Sequence, residues 1–431
     1  MRSRNRGSMR WALSSALLAL SLGADLAAQQ PSAAALTLDQ AISEALANNL
    51  SLMAERANIA LAEAGILTAG LRPNPVLSFG GDHLDLMGTG FNEINGAGPP
   101  EYNLRTDFLF ERGAKRQIRV EVAQNARSVA QSQFLDSVRT TILDVQNAFL
   151  DVLLAKANLT LSQENLDSLN RIAETNEVRV RAGDLSEAEL IRSRLAALQY
   201  ENSVQRANLA LRSALTRLQI LLGRPRPSPS FDVTGEFRRD ATTPSLAELC
   251  AIAQKSRPDL KALYLGDRRA AADLRLQIAQ GKVDYSLGTE YRRQQGINGK
   301  SNSLGFFLSV PLPLFNRNQG EIERARQEQR QIQLRIRALE ASIVSELENA
   351  YEQFKTARLL LDNIESRMLS PARDVREITE FSYKRGSATL LELLDAERAF
   401  NETMQAHNEA RAEYARSQYL LDAVSGRSVA K

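Results

Sequence analysis

Side chains able to do metal or nucleophilic chemistry are few in this chain. Among 431 residues there are two histidines, His83 and His407, and one cysteine, Cys250. Imidazole and thiolate are the donors that would hold zinc or copper, and a structural site needs about four such ligands. The two histidines fall in opposite halves: His83 leads into a loop, and His407 lies among charges in a helical pattern, where it reads as surface. Cys250, within LAELCAIA, has no disulfide partner and reads as a buried structural thiol. Met53, Met87, Met368 and Met404 are scattered, which gives a copper relay no footing. HExxH, CxxC, a phosphate-cradling Gly-Lys-Ser/Thr and G-x-S-x-G are all missing. No catalytic residue, cofactor or metal site is assigned, and an enzyme is not expected.

The informative patterns are architectural. From Val283 to Leu314 the chain alternates apolar and polar residues with period two, first over 283–292 and again over 303–314, across the polar stretch QQGINGKSN. Such patterning predicts strands with one apolar and one polar face. A second pair is predicted over about 74–82 and 103–111, joined by a linker rich in Gly, Asn and Pro. Strands of about ten residues cross a bilayer when tilted, apolar toward lipid and polar toward a lumen. A soluble hairpin packed on a helix is the competing reading.

The remainder is rich in Ala, Leu, Arg, Glu and Gln, with 6% aromatic residues, a composition suited to long helices. Arg2, Arg4, Arg6 and Arg10 precede an apolar run and a small-residue stretch ending near Ala28, which predicts a cleaved export signal over 1–28. Without it, 54 basic and 51 acidic residues become 50 of each. A neutral mature chain gives no support for nucleic-acid binding. Beyond the signal there is no run of 18 apolar residues, so no transmembrane helix is expected.

The helical patterns come in two matching sets. A first repeat, 29–223, contains the first strand pair, a proline-free helix over about 114–181 and a helix over 186–222. A connector, 224–244, leads to a second repeat, 245–426, with the second strand pair, a helix over about 320–384 kinked at Pro371, and a helix over 389–425; a tail covers 427–431. Asn147-Ala-Phe149 is echoed by Asn349-Ala-Tyr351, and Gly183/Gly386, Glu189/Glu392, Leu190/Leu393 and Gly223/Gly426 all share a shift of 203. Leu38, Ala45 and Leu52 match Leu246, Ala253 and Leu260 at a shift of 208. Two strands per repeat give four per chain, whereas the smallest membrane barrels have about eight. If these strands span a membrane, several copies must share one barrel.

On these grounds the mature chain resembles the TolC-like outer-membrane efflux proteins. The likeness rests on the duplicated plan and on PLPLFNRNQGEIERA (Pro311–Ala325) and RGSATLLELLDAE (Arg385–Glu397); the former is also similar to outer-membrane components of heavy-metal cation efflux systems. The resemblance implies a mainly α chain with a membrane β-barrel. A homotrimer would share a twelve-stranded barrel in outer-membrane lipid, above a periplasmic α-barrel of long helices. It implies a passive exit duct working with a periplasmic adaptor and an inner-membrane pump. A protein-secretion conduit of the same fold and a soluble periplasmic coiled-coil protein are the alternatives. Carried onto this sequence, it places a periplasmic aperture at Glu377 and Glu380, with Tyr383 and Arg385 as tethers and Glu174 and Glu177 as the first-repeat equivalents. One family aspartate is replaced by glutamate. The helix-breaking tip turns would be centred on Gly183 and Gly386, where the adaptor docks, and Pro73, Pro75, Pro311 and Pro313 would mark the barrel-to-tube junction.

Overall fold

Helices start where the side chains of Thr37, Asn49, Ser186, Ser245 and Thr389 each satisfy a free terminal amide. Thr37 and Gln40 cap each other's backbone at the start of α1 (Leu38–Asn48), and Ser245 and Glu248 do so for α5 (Leu246–Ser256), 208 residues later. Each short helix turns directly into a second one, α2 (Leu50–Gly70) and α6 (Pro258–Gln280). The strands β1 (Val76–Asp82) and β2 (Glu101–Phe110) then lead to α3 (Lys115–Arg181) and α4 (Glu187–Leu221). In the second half, β3 (Tyr285–Gly296) and β4 (Gly299–Ser309) lead to α7 (Gln319–Asn363), a π-helical turn (Ile364–Met368), α8 (Leu369–Lys384) and α9 (Leu390–Val424). The order helix, helix, strand, strand, long rod, helix therefore occurs twice. The computed structural model describes residues 35–88, 90, 100–240, 244–296 and 299–427. The predicted export signal over 1–28 and most of the tail lie outside them.

At 1.5 Å per residue, the 67-residue α3 is about 100 Å long. Both rods start from a left-handed residue, Ala114 (φ 57°) and Asn318 (φ 63°). The internal symmetry extends to side-chain chemistry. Asn49 donates to the terminal carbonyl of Leu221 at 2.8 Å, and Arg257, its counterpart, donates to that of Val424 at 3.3 Å. At both places a glycine with positive φ faces the opposing helix end: a Cβ on Gly223 would collide with the Asn48 carbonyl, and one on Gly426 would meet the Ser256 hydroxyl at 2.8 Å.

The four strands form one antiparallel sheet in the order β1-β2-β3-β4, so β2 of the first half pairs with β3 of the second. Strand ends depart from the alternation. The polar stretch between the second pair is largely sheet, with Gln295 opposite Lys300 and Gly296 opposite Gly299. At the other end β4 stops at Ser309. Pro311 and Pro313 have no N–H to continue the ladder, so the alternation of Leu312 and Leu314 is not strand.

Three apolar clusters hold the helices. One joins α1, α3, α4 and the connector through Val145, Phe149, Leu218 and Val233, and another joins α5, α6, α7 and α9 through Leu260, Leu347 and Phe354. The third, near the far ends of the rods, contains Leu169, Tyr383 and Leu393. Each fully buried Leu or Phe contributes about 1.5–3 kcal/mol. Cys250 is only partly buried, against the second cluster. The strand-like segment of the connector is a single parallel bridge between Leu36 and Val233.

Candidate functional site

The sheet separates its side chains by chemistry. Cross-strand register puts Phe79, Leu104, Tyr291 and Leu304 in one row, Leu77, Thr106, Thr289 and Phe306 in the next, and Phe108, Leu287 and Leu308 in a third. These rows share one face, and their large apolar side chains are exposed in the single chain. The other face carries ion pairs. Arg105 grips Asp107 with two bonds of 2.9 Å and lies 4.5 Å from the Phe307 ring centre, and Arg292 bonds the buried Glu290 at 3.0 Å. An apolar face without a covering layer, backed by charges paired among themselves, suits hydrocarbon on one side and water on the other.

Where the sheet meets the rods, the chain is fastened across the two halves. Lys115, at the start of α3, donates from Nζ to the Lys282 carbonyl at 2.8 Å and to Asp284 at 2.6 Å, while the Arg112 amide donates to Asp284 at 2.8 Å. Pro73 and Pro75 line one cleft beside this junction, and Pro311 and Pro313 line another.

At the opposite ends of the rods, Gly183 (φ 82°) and Gly386 (φ 78°) close matching caps. Asp184 and Ser387 donate back to the carbonyls of Arg179 and Ser382, both at 2.9 Å, and Gly183 and Gly386 to those of Val180 and Tyr383, both at 3.0 Å. This is the Schellman arrangement, which needs the left-handed residue that glycine supplies. Ser186 and Thr389 then cap the returning helices α4 and α9.

The acidic positions near these turns have different surroundings. Glu174 and Glu377 are exposed, and among the described residues neither has an ion-pair partner. Glu177 bonds Arg181 at 2.5 Å and Arg194 at 3.0 Å, which holds its carboxylate below the usual range. Glu380 pairs with Lys384 at 2.7 Å. Tyr383 is buried and donates to Asn176 Oδ1 at 2.6 Å, tying α8 to α3 within one chain. Burial raises its pKa, so the hydroxyl keeps the proton it donates. Arg385 stacks over Phe381 at 4.2 Å.

Several polar groups escape a local reading of the sequence. A seam between α3 and α9 is lined by Asn158–Asn408 at 3.1 Å, by Asn165 bonded to Asn401, and by Ser168–Glu397 at 3.3 Å. Asn158/Asn165 and Asn401/Asn408 are each seven apart, the only trace of this seam in the sequence. Glu397 is buried, which pushes its carboxyl pKa up; Arg376 opposes that shift and Glu380 adds to it. His407 is no surface residue: its side chain is largely buried and faces Glu365 at 3.3 Å, because α9 turns it toward the π-helical turn. Among the described residues no group of three or more His, Cys, Asp or Glu is placed to hold a metal, and no helix is long and apolar enough to cross a membrane.

The profile of the outer membrane efflux protein family matches residues 41–224 and 249–427. The cobalt-zinc-cadmium resistance protein CzcC of Cupriavidus metallidurans is 26% identical over 366 residues, covering 84% of this chain and 83% of that protein. Among solved structures, the CmeC outer membrane channel of Campylobacter jejuni superposes with a TM-score of 0.75 at 16% identity, over 90% of this chain and 85% of that one. The open state of the MtrE outer membrane channel of Neisseria gonorrhoeae gives 0.72 at 18% identity, over 90% and 88%.

Proposed function

The chain belongs to the outer membrane efflux protein family, and from that premise we propose that three copies build one exit duct through the outer membrane and periplasm. The observation that carries this reading is the two-faced sheet. Four strands with an uncovered apolar face cannot close alone, whereas three copies supply twelve. The rods would then stand side by side as a periplasmic tube. Their capped turns at Gly183 and Gly386 would meet a periplasmic adaptor, and an inner-membrane pump would supply the energy. The duct itself is a passive conduit and not an enzyme.

For the cargo we favour heavy-metal cations, on the likeness to a cobalt-zinc-cadmium resistance protein. The unpaired Glu377 supports the choice. Threefold repetition of Glu377 and Glu380 would make a ring of six carboxylates, attracting cations without the tight binding that would slow their exit. Tyr383 and Arg385 would steady that aperture, with Glu174 and Glu177 as its first-repeat counterparts. Deleting the gene and challenging cells with divalent cobalt, zinc, cadmium and copper tests the cargo. Lost tolerance to at least one metal is expected, and unchanged tolerance to all four contradicts it. Replacing Glu377 and Glu380 by Ala should lower cation selectivity in planar bilayers. Unaltered selectivity would reduce them to surface charges.

A further inference from the structure

Between the Asn147/Asn349 match and the tip turns, the two long rods differ at one place. α3 runs unbroken, whereas its counterpart is interrupted by the π-helical turn Ile364–Met368, with Pro371 just beyond it. The numbering locates the cause. Asn147 and Asn349 are 202 apart, but Gly183 and Gly386 are 203 apart, so the second rod carries one extra residue between those points. A single wide turn is how an α-helix takes up one added residue while its flanks keep their faces. Here Leu369 N–H reaches back five residues to the Ile364 carbonyl. Pro371 has no N–H for the carbonyl four residues before it, that of Arg367, so the ladder is weakest at this point.

Packing changes across the same turn. On one side, Phe354, Ala357 and Leu361 of α7 are buried in an apolar cluster. On the other, Tyr383 is the only buried residue of α8, and Val375, Ile378 and Phe381 are exposed in the single chain. The turn itself is held from outside. Arg239, from the connector, donates to both oxygens of Glu365 at 3.1 and 2.8 Å, and His407 Nε2 of α9 lies 3.3 Å from Oε1.

We infer that Ile364–Met368 is the hinge on which α8 swings to widen or narrow the aperture, and that Arg239 and Glu365 are positioning residues that clasp it in the setting seen here. The inference builds on the aperture reading of Glu377 and Glu380, which α8 carries. Its 16 residues make a lever of about 24 Å, so a tilt of about 10° displaces the tip by about 4 Å. That is enough to change a constriction lined by side chains. The first-repeat rod, lacking the extra residue, would act as the fixed post. The connector would report the state of the tube's waist to its tip.

The test uses the full-length protein in planar bilayers, with the heat-resistant oligomer band as the check on folding. Arg239→Gln and Glu365→Gln should each shift the open probability, both in the same direction, by about 1.5-fold to fivefold, the range for loss of one exposed ion pair, and Arg239→Lys should restore most of it. Deleting Ser366 returns the rod to α-helical register and should abolish switching between open and closed levels. Parental open probability in both Gln variants would overturn the hinge, whether or not the deletion folds. The aperture reading is tested separately. If Glu377→Ala/Glu380→Ala alters cation selectivity while the clasp variants change nothing, the hinge fails alone. If the clasp variants shift the open probability but the double Ala variant leaves selectivity intact, the hinge stands and the constriction lies elsewhere on α8.

Discussion

Replacing Phe306 by Arg puts a charge in the middle of the sheet's apolar face. Phe306 is 77% exposed in the single chain and shares its row with Thr289, Thr106 and Leu77. Apolar rows flank it on both sides, so a bilayer core matched to this face would have Phe306 near its midplane. An Arg there costs about 2–4 kcal/mol in outer-membrane barrels. At about 1.4 kcal/mol per factor of ten, that is roughly 30- to 700-fold in the folding equilibrium for each copy. A trimer carries three such sites, so the assembled barrel would lose about 6–12 kcal/mol. Ser303→Arg is the matched control, since it places the same charge on the opposite face. Even with Arg292 as its cross-strand partner, its cost should stay within about 1 kcal/mol. Both variants can be compared by urea-dependent folding into lipid vesicles, followed by the heat-resistant band on gels. Phe306→Arg should shift the midpoint to much lower urea and Ser303→Arg should barely move it. Equal tolerance of the two would refute a lipid-facing assignment of this surface.

Other residues give independent checks. Gly223→Ala should destabilise by about 1–3 kcal/mol or more in thermal unfolding, because the new Cβ meets the Asn48 carbonyl oxygen at 2.1 Å; Gly183→Ala, with a similar φ but open surroundings, should cost only about 1–2 kcal/mol. Tyr383→Phe leaves the buried Asn176 carbonyl without its donor, at a cost of about 1–3 kcal/mol, and should speed amide exchange in α8 more than in α4. Glu397→Gln should raise heat stability at neutral pH. The folded-state pKa of Glu397 is raised by burial, so the native protein keeps a proton that the unfolded chain releases above about pH 4.3, and stability falls as pH rises through that window. The Gln variant escapes this loss, and its advantage should vanish below about pH 4. A variant equal to or weaker than the parent at pH 7 would contradict the assignment.

Much of the architecture is written in short-range patterns. Period-two alternation marks three of the strands and, through Leu77 and Phe79 alone, hints at the first; the Gly183 and Gly386 caps mark where the rods end, and constant shifts of 203 and 208 mark the duplication. These signals are legible because caps and faces are decided by residues within a turn or a strand. The end of β4 is not, because alternation at Leu312 and Leu314 continues past the point where proline ends the ladder. Seams between distant segments are also hidden. Nothing near Tyr383 announces Asn176, 207 residues earlier, and nothing near His407 announces Glu365. The π-helical turn left one trace, a change of repeat shift from 202 to 203, besides the proline that follows it. The acidic pairs are easily found in the sequence, but the bonds of Glu177 and Glu380 to neighbouring cations, and the lack of any for Glu377, depend on how the helices pack.

The mass of the particle extracted from outer membranes by mild detergent, determined by light scattering with the detergent contribution subtracted, bears most directly on the shared barrel. Three copies of the chain in a detergent-bound particle are the expected result. A single copy that stays in solution without detergent would contradict the duct.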